Sequence, residues 1–145
     1  MITHIFHSTV VSGPETLALP ALRKLGQPVS IVFLDEKRVP GGADAPVAYA
    51  RSLGHDVHTV PVQGRWDRSA FGALAETLAR LGTTLAHAHD VKASLYLDQA
   101  ARRMPVRPKL VSTHHGAAAR KGLIRVYEEL YVRWTLPRFD AVLSV

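Results

Sequence analysis

Cysteine is absent from this 145-residue chain, and with it go thiol nucleophiles, thiolate metal sites and any disulfide framework. Such a chain suits a reducing compartment. Long hydrophobic runs are missing as well; none approaches the ~18 residues of a membrane-spanning helix. The start, Met1-Ile-Thr-His-Ile-Phe-His-Ser8, has no basic stretch ahead of an apolar one, so it does not read as a secretory signal. No phosphate-binding Gly-x-x-x-x-Gly-Lys-Ser/Thr loop occurs. Ser8, Ser12 and Ser112 lack the Gly-x-Ser-x-Gly elbow of a serine hydrolase. These gaps leave a soluble, cytoplasmic protein as the expectation. Its length suits about one domain, which buries roughly two thirds of its unfolded surface and needs no metal staple.

What is present alternates. Ile2 to Ser8, Val29 to Leu34, Val57 to Val62, Thr84 to His89, Lys109 to His114 and Ala141 to Val145 are short β-branched or apolar runs and predict six strands. The run Val29-Ser-Ile-Val-Phe-Leu34 is nearly continuous, as in a strand buried on both faces. Pro61 predicts that the third strand lies at an edge. Five helical patterns fall between the strands. In the first, Leu17, Ala18, Ala21, Leu22 and Leu25 form a stripe that Pro20 should kink or delay. The second runs from Pro46 to Leu53, and the third carries Phe71, Leu74, Leu78 and Leu81. Asp90 caps a fourth that reaches about Arg103. The fifth and longest, Gly122 to about Leu136, carries Leu123, Tyr127, Leu130, Tyr131 and Trp134 toward the core and ends at Pro137. Glu36 to Ala45, with Pro40-Gly41-Gly42, reads as a loop.

Strands alternating with helices imply an α/β fold. With right-handed crossovers it becomes a doubly wound, Rossmann-like parallel sheet of about six strands with helices on both faces. The chain stops inside the sixth strand, where a covering helix would be expected next. It therefore reads as part of a longer protein.

Charge is uneven. Residues 1–100 balance, whereas residues 101–145 hold Arg102, Arg103, Arg107, Lys109, Arg120, Lys121, Arg125, Arg133 and Arg138 against Glu128, Glu129 and Asp140. The formal net charge of +6 thus sits in the last third, which suits an anionic partner or a solvated basic face. Without a stacking-aromatic module or a known motif, nucleic acid ranks last among such partners.

Ligands of doubly wound sheets bind beyond the carboxyl ends of the strands, which directs attention to three segments. After the first strand comes Ser8-Thr-Val-Val-Ser-Gly13-Pro-Glu15, where Gly13 and a helix start suit an anion. Asp35, ending the second strand, is placed to hold a ribose hydroxyl. With one glycine of the three in a dinucleotide fingerprint, it keeps a nucleotide- or dinucleotide-binding module as the alternative. The fourth strand ends His87-Ala-His89-Asp90 and the fifth Ser112-Thr-His114-His115-Gly116. His87 and His89 share a face by the two-residue period, and the histidine groups of neighbouring strands should meet at one rim. Their spacing matches no zinc pattern, so no metal is expected; hydrogen bonding or proton transfer suits them better. His4, His7, His55 and His58 read as structural or solvent-facing.

Taken in order, these segments resemble retaining glycosyltransferases of the family 4 type. Ser12-Gly-Pro-Glu-Thr16 is similar to their glycine-containing loop, and His87-Ala-His-Asp90 to their His-x-His segment. Leu110-Val-Ser-Thr-His-His-Gly116, Tyr127-Glu-Glu-Leu-Tyr-Val-Arg133 and Phe139-Asp-Ala-Val-Leu-Ser-Val145 resemble the run that follows. The resemblance covers nearly the whole chain, most tightly residues 84–145.

It implies the amino-terminal, acceptor-side domain of a two-domain GT-B enzyme. The second domain, which carries an E-x7-E motif and binds the nucleotide sugar, is not in this sequence. By the resemblance, Gly13 faces the donor phosphates, His89 and Asp90 line the acceptor side, and His115 is the catalytic cleft histidine. Because the histidine is doubled here, His114 is the other candidate for that part. The implied reaction moves a sugar from a nucleotide donor to an acceptor hydroxyl with retention, without a metal or other cofactor. The isolated domain should be inactive. Sugar or lipid-linked acceptors are the expected partners, and the basic third suggests electrostatic contact with an anionic membrane surface without insertion.

Overall fold

The computed structural model describes residues 1–114 and 123–144. In chain order they form β1 (Ile2–Phe6), α1 (Gly13–Lys24), β2 (Val29–Glu36), α2 (Asp44–Ser52), β3 (Asp56–Val62), α3 (Arg68–Arg80), β4 (Leu85–Ala88), α4 (Val91–Ala101), β5 (Lys109–His114), α5 (Leu123–Leu130) and β6 (Ala141–Ser144). The strands make one sheet in the order β3-β2-β1-β4-β5-β6, and every pair is parallel. This is the doubly wound, Rossmann-like arrangement, and its strand order reverses between β1 and β4. Pro61 does lie on an edge strand, β3.

Alternate side chains of the central strands feed two cores. On one face Phe6, Ile31 and Phe33 pack with Leu19 and Leu22 of α1 and with Val47 and Ala50 of α2. On the other, Ile5, Val32, Leu34 and Leu110 pack with Phe71, Leu74 and Leu78 of α3 and Tyr96 and Leu97 of α4. Each large side chain so buried contributes about 1.5–3 kcal/mol before entropy is counted.

Two helices differ from the sequence expectation. Leu17 and Leu25 are exposed, and the buried face of α1 is Glu15, Leu19 and Leu22. Pro20 neither delays nor ends this helix. Packing of Leu19 and Leu22 holds the segment where propensity alone would break it.

The fifth helix gives way after Leu130 to a π-turn over Tyr131–Thr135 and a 3₁₀ turn over Leu136–Arg138. Pro137 sits inside that last turn. One anchor sets the phase of this segment. The Tyr131 hydroxyl lies 2.9 Å from Ser112 Oγ of β5 and 3.2 Å from Ser94 Oγ of α4, in a buried network. With Tyr131 and Thr135 turned inward, Leu130 and Trp134 turn outward and are 53% and 64% exposed. They do not pack into the core as the stripe suggested. Tyr127's side chain and the expected helix start at Gly122 lie outside the described residues, as does Val145.

Candidate functional site

All parallel strands end at one rim, so the first question is what the chain does where β1, β2 and β4 stop. β1 leaves the ladder after Phe6 because the next amide finds a different acceptor: His7 N–H donates to Asp90 Oδ2 at 2.8 Å. The other carboxylate oxygen of Asp90 accepts Ala93 N–H, also at 2.8 Å. Asp90 thus caps α4, as its place in the sequence predicts, and also ties α4 to the end of β1. Burial pushes its carboxyl above the usual range, against the opposing pull of these amides and of His7.

Glu36, at the end of β2, is the charged centre of the rim and is only 4% exposed. Its carboxylate pairs with Lys92 of α4 and with Arg38 at 3.0 Å, and lies 3.4 Å from His7 Nε2. Burial alone would raise its pKa, but the bonds from Lys92 and Arg38 outweigh this and hold the group below its ordinary value. It is therefore ionised at neutral pH. His7 Nε2 and, one residue further past the end of β1, Ser8 Oγ are buried atoms without a hydrogen-bond partner among the described residues. An anionic acceptor, two cationic donors and two unspent polar atoms thus converge at the switch point between β1 and β4. Such a polar set can orient a hydroxyl-bearing ligand.

The sequence alone marks Asp35 as a ligand candidate and Glu36 only as the start of a loop. The signal was parity: Glu36 follows Leu34 by two residues and so faces α4, whereas Asp35 faces α2. Asp35 closes the following loop by accepting Ala43 N–H at 2.9 Å and pairing with Lys37. Burial would raise its carboxyl, but the Lys37 and Ala43 bonds bring it below the usual range. That carboxylate is engaged within its own loop.

Gly13, His89, Asp90 and His114 all stand at or just beyond carboxyl ends of strands. Gly13 has a negative φ and open space where a Cβ would be. Beside it Glu15 accepts both Ser12 N–H (2.9 Å) and Ser12 Oγ–H (2.8 Å), so a carboxylate already satisfies the start of α1. His115 lies outside the described residues.

The histidines do not all meet. Ala88 pairs with Ser112, so parity sends His89 to the face shared by Thr113 and His114 to the opposite one. His114 lies 6.0 Å from the Tyr131 ring, on the α4 side. His87 and His89 do share a face, with ring centroids 4.2 Å apart, and they meet His4 rather than His114. His4 Nδ1 and His89 Nε2 are 2.9 Å apart, and His89 stacks on Phe6 at 4.2 Å. Burial lowers His4 to about 3, with a smaller push from His87, and lowers His87 to about 4.

A separate cleft of about 440 Å³, lined by Leu22, Arg23, Gln27, Pro28, His55 and Asp56, opens at the opposite rim, away from Glu36 and Asp90.

The family model for Glycosyltransferase Family 4 matches residues 18–145. The chain belongs to glycosyltransferase family 4. The match takes in the ends of β2 and β4 and therefore Glu36, His89, Asp90 and Lys92. Comparison with curated proteins finds no match. Among solved structures, a predicted subunit of a tRNA methyltransferase from Methanocaldococcus jannaschii is similar at 12% identity and a TM-score of 0.39. That match covers 100% of this chain and 66% of the other, and a likeness so loose bears on neither fold nor function. For this family 4 domain, no described helix is long and apolar enough to cross a membrane.

Proposed function

We propose that this family 4 domain is the acceptor-side half of a two-domain GT-B glycosyltransferase. Such an enzyme moves a sugar from a nucleotide-sugar donor to an acceptor hydroxyl with retention of configuration. The family match over residues 18–145 carries this reading. The polar rim around Glu36, Lys92, Arg38, His7 and Asp90 supports it, since a sugar or lipid-linked sugar acceptor presents hydroxyls to such groups. In this reading His89 and Asp90 border the acceptor, and Gly13 lies toward the donor phosphates across the cleft. His115 is the cleft histidine, with His114 as the other candidate. A positioned imidazole there would hydrogen-bond or exchange a proton with the reacting groups, and amide and cationic groups would stabilise the leaving diphosphate. The transfer needs no metal or organic cofactor from this domain.

The second domain supplies the nucleotide-sugar site, and the domain alone is inactive. The working location is the cytoplasm, with electrostatic contact to anionic membrane surfaces through residues 101–138; nucleic acid is not a partner.

The alternative, a stand-alone dinucleotide-binding module, has the strand order in its favour. Against it stand the single glycine after β1 and the engagement of Asp35 within its own loop. Reading the gene downstream of Val145 tests the choice. A second α/β domain with an E-x7-E motif is expected. Its absence, together with stoichiometric NAD binding by the chain in calorimetry, would replace this reading with the alternative.

A further inference from the structure

His4, His87 and His89 form a second constellation, distinct from the rim at Glu36. β1 and β4 are neighbours, His4 and His87 are register partners, and His89 follows on the same face two residues later. One ring nitrogen from each of the three lies within 4.8 Å of the others. Nitrogens that ligate one zinc ion tetrahedrally at ~2.0–2.1 Å are about 3.4 Å apart. The observed spacing brackets that figure, from 2.9 Å between His4 and His89 to 4.8 Å. Small ring rotations that give up the His4–His89 hydrogen bond would bring the nitrogens to ligating distances.

Three features make this more than an accidental meeting of rings. The backbone of two adjacent central strands fixes His4 and His87, and His89, one residue past β4, is tied to β1 by its N–H to the Ile5 carbonyl at 3.0 Å. His87 Nε2 lies 2.8 Å from Thr113 Oγ1 on β5, a contact outside the trio that orients the ring, as outer partners of ligating histidines do. His89 is braced from the other side by its stack on Phe6. His4 and His89 are buried, whereas His87 is half-buried and gives the way in.

We propose that His4, His87 and His89 bind one borderline divalent cation, zinc being the type, and so clamp β1 to β4. Three imidazoles without a carboxylate suit zinc, copper or nickel and disfavour magnesium and calcium. Three protein ligands leave a fourth tetrahedral position for water. The ion takes no part in the proposed transfer; its one link to that site is His89, which it would hold in place beside the acceptor.

The test is titration of the metal-stripped chain with Zn²⁺ against a chromophoric chelator. Co²⁺ absorption in the visible reports the geometry, and Mg²⁺ is the hard-cation control. Wild type should bind one equivalent of Zn²⁺, give tetrahedral Co²⁺ bands, melt higher with Zn²⁺ and ignore Mg²⁺. His87→Ala should weaken Zn²⁺ binding by at least about tenfold. His87→Gln, which keeps a polar group beside Thr113, should do the same with unchanged far-UV circular dichroism. His58→Ala, near the exposed Asp56, should leave binding as in wild type. Absence of a one-equivalent phase, full binding in both His87 variants, or loss on His114→Ala instead would overturn the proposal.

Discussion

Gly42 shows how tightly single residues can be specified in this domain. It adopts φ +45°, and a Cβ there would lie 2.1 Å from Asp35 Oδ1, the oxygen that accepts Ala43 N–H. Gly41 has φ +78° but open space around it. Gly41→Ala should therefore cost only the left-handed backbone term, about 1–2 kcal/mol. Gly42→Ala should cost more, because it also displaces a buried carboxylate. Urea denaturation of the two variants checks the order; equal losses would mean that Asp35 moves aside freely. The histidines of the central strands make a second residue-scale prediction. His4 and His87 titrate lower in the fold than when unfolded, so below pH ~6.5 the unfolded chain binds more protons. Their contribution is complete above that pH and is lost as pH falls toward 4 and 3, amounting to about 2 kcal/mol per imidazole by pH 5. Asp90, raised by burial, works in the opposite sense. His55, His87 and His89 face His4, so the comparison that isolates the effect is the pH slope of wild type against His87→Gln, measured in chelator. A shallower slope between pH 7 and 5 is expected in the variant; parallel slopes would contradict it.

At the scale of elements, Asp90 joins β1 and α4, and this makes its substitution costly. Asp90→Ala removes a helix cap, worth about 1 kcal/mol, and strands the His7 amide, worth about 1–3 kcal/mol more. Asp90→Asn keeps one acceptor oxygen and should fall between. Urea denaturation measures both, and an alanine variant as stable as wild type would show that the tie contributes nothing. The cap was legible in the sequence because an aspartate just ahead of a helical stripe has few other local uses. The six strands were legible too, since β-branched runs between helices have one economical arrangement. What could not be read was whatever depends on neighbours distant in sequence. The outward turn of Leu130 and Trp134 follows from Tyr131's bonds to Ser94 and Ser112, which no periodicity reports. The meeting of His4 with His87 and His89 needs the β1–β4 pairing. Glu36's role needs both its parity and the nearness of Lys92. His89 and His114 were expected at one rim, and they end strands there, but alternation put a sheet between their rings.

At the scale of the molecule, the basic final third is less naked than its composition suggests. Asp98 takes Arg102 and Arg138, Asp140 takes Arg107 and Lys109, and Glu129 takes Arg125. The pairs on Asp140 and Glu129 are solvent-accessible and stabilise little, whereas Asp98 is buried; because two aspartates serve four cations the surface stays positive. Each basic group near an anionic bilayer contributes about 1 kcal/mol, enough together for weak, salt-sensitive docking. Trp134 stands exposed one residue after Arg133. With Trp66→Phe removing the other tryptophan, anionic vesicles at low salt should co-sediment the protein, and neutral vesicles should not. Binding indifferent to lipid charge would contradict the electrostatic account. The central claim is larger: a sugar-transfer site is built on the carboxyl rim of this sheet and completed by a second domain. The measurement that meets it most directly is a sugar-transfer assay on the protein made from the whole reading frame, beside this chain alone and the His115→Ala and His114→Ala variants. The whole protein should transfer sugar and the chain alone should not. His115→Ala should lower the rate by about 100-fold or more, with a larger loss from His114→Ala moving the role one residue back. Transfer by the chain alone, or full activity in both variants, would contradict the account.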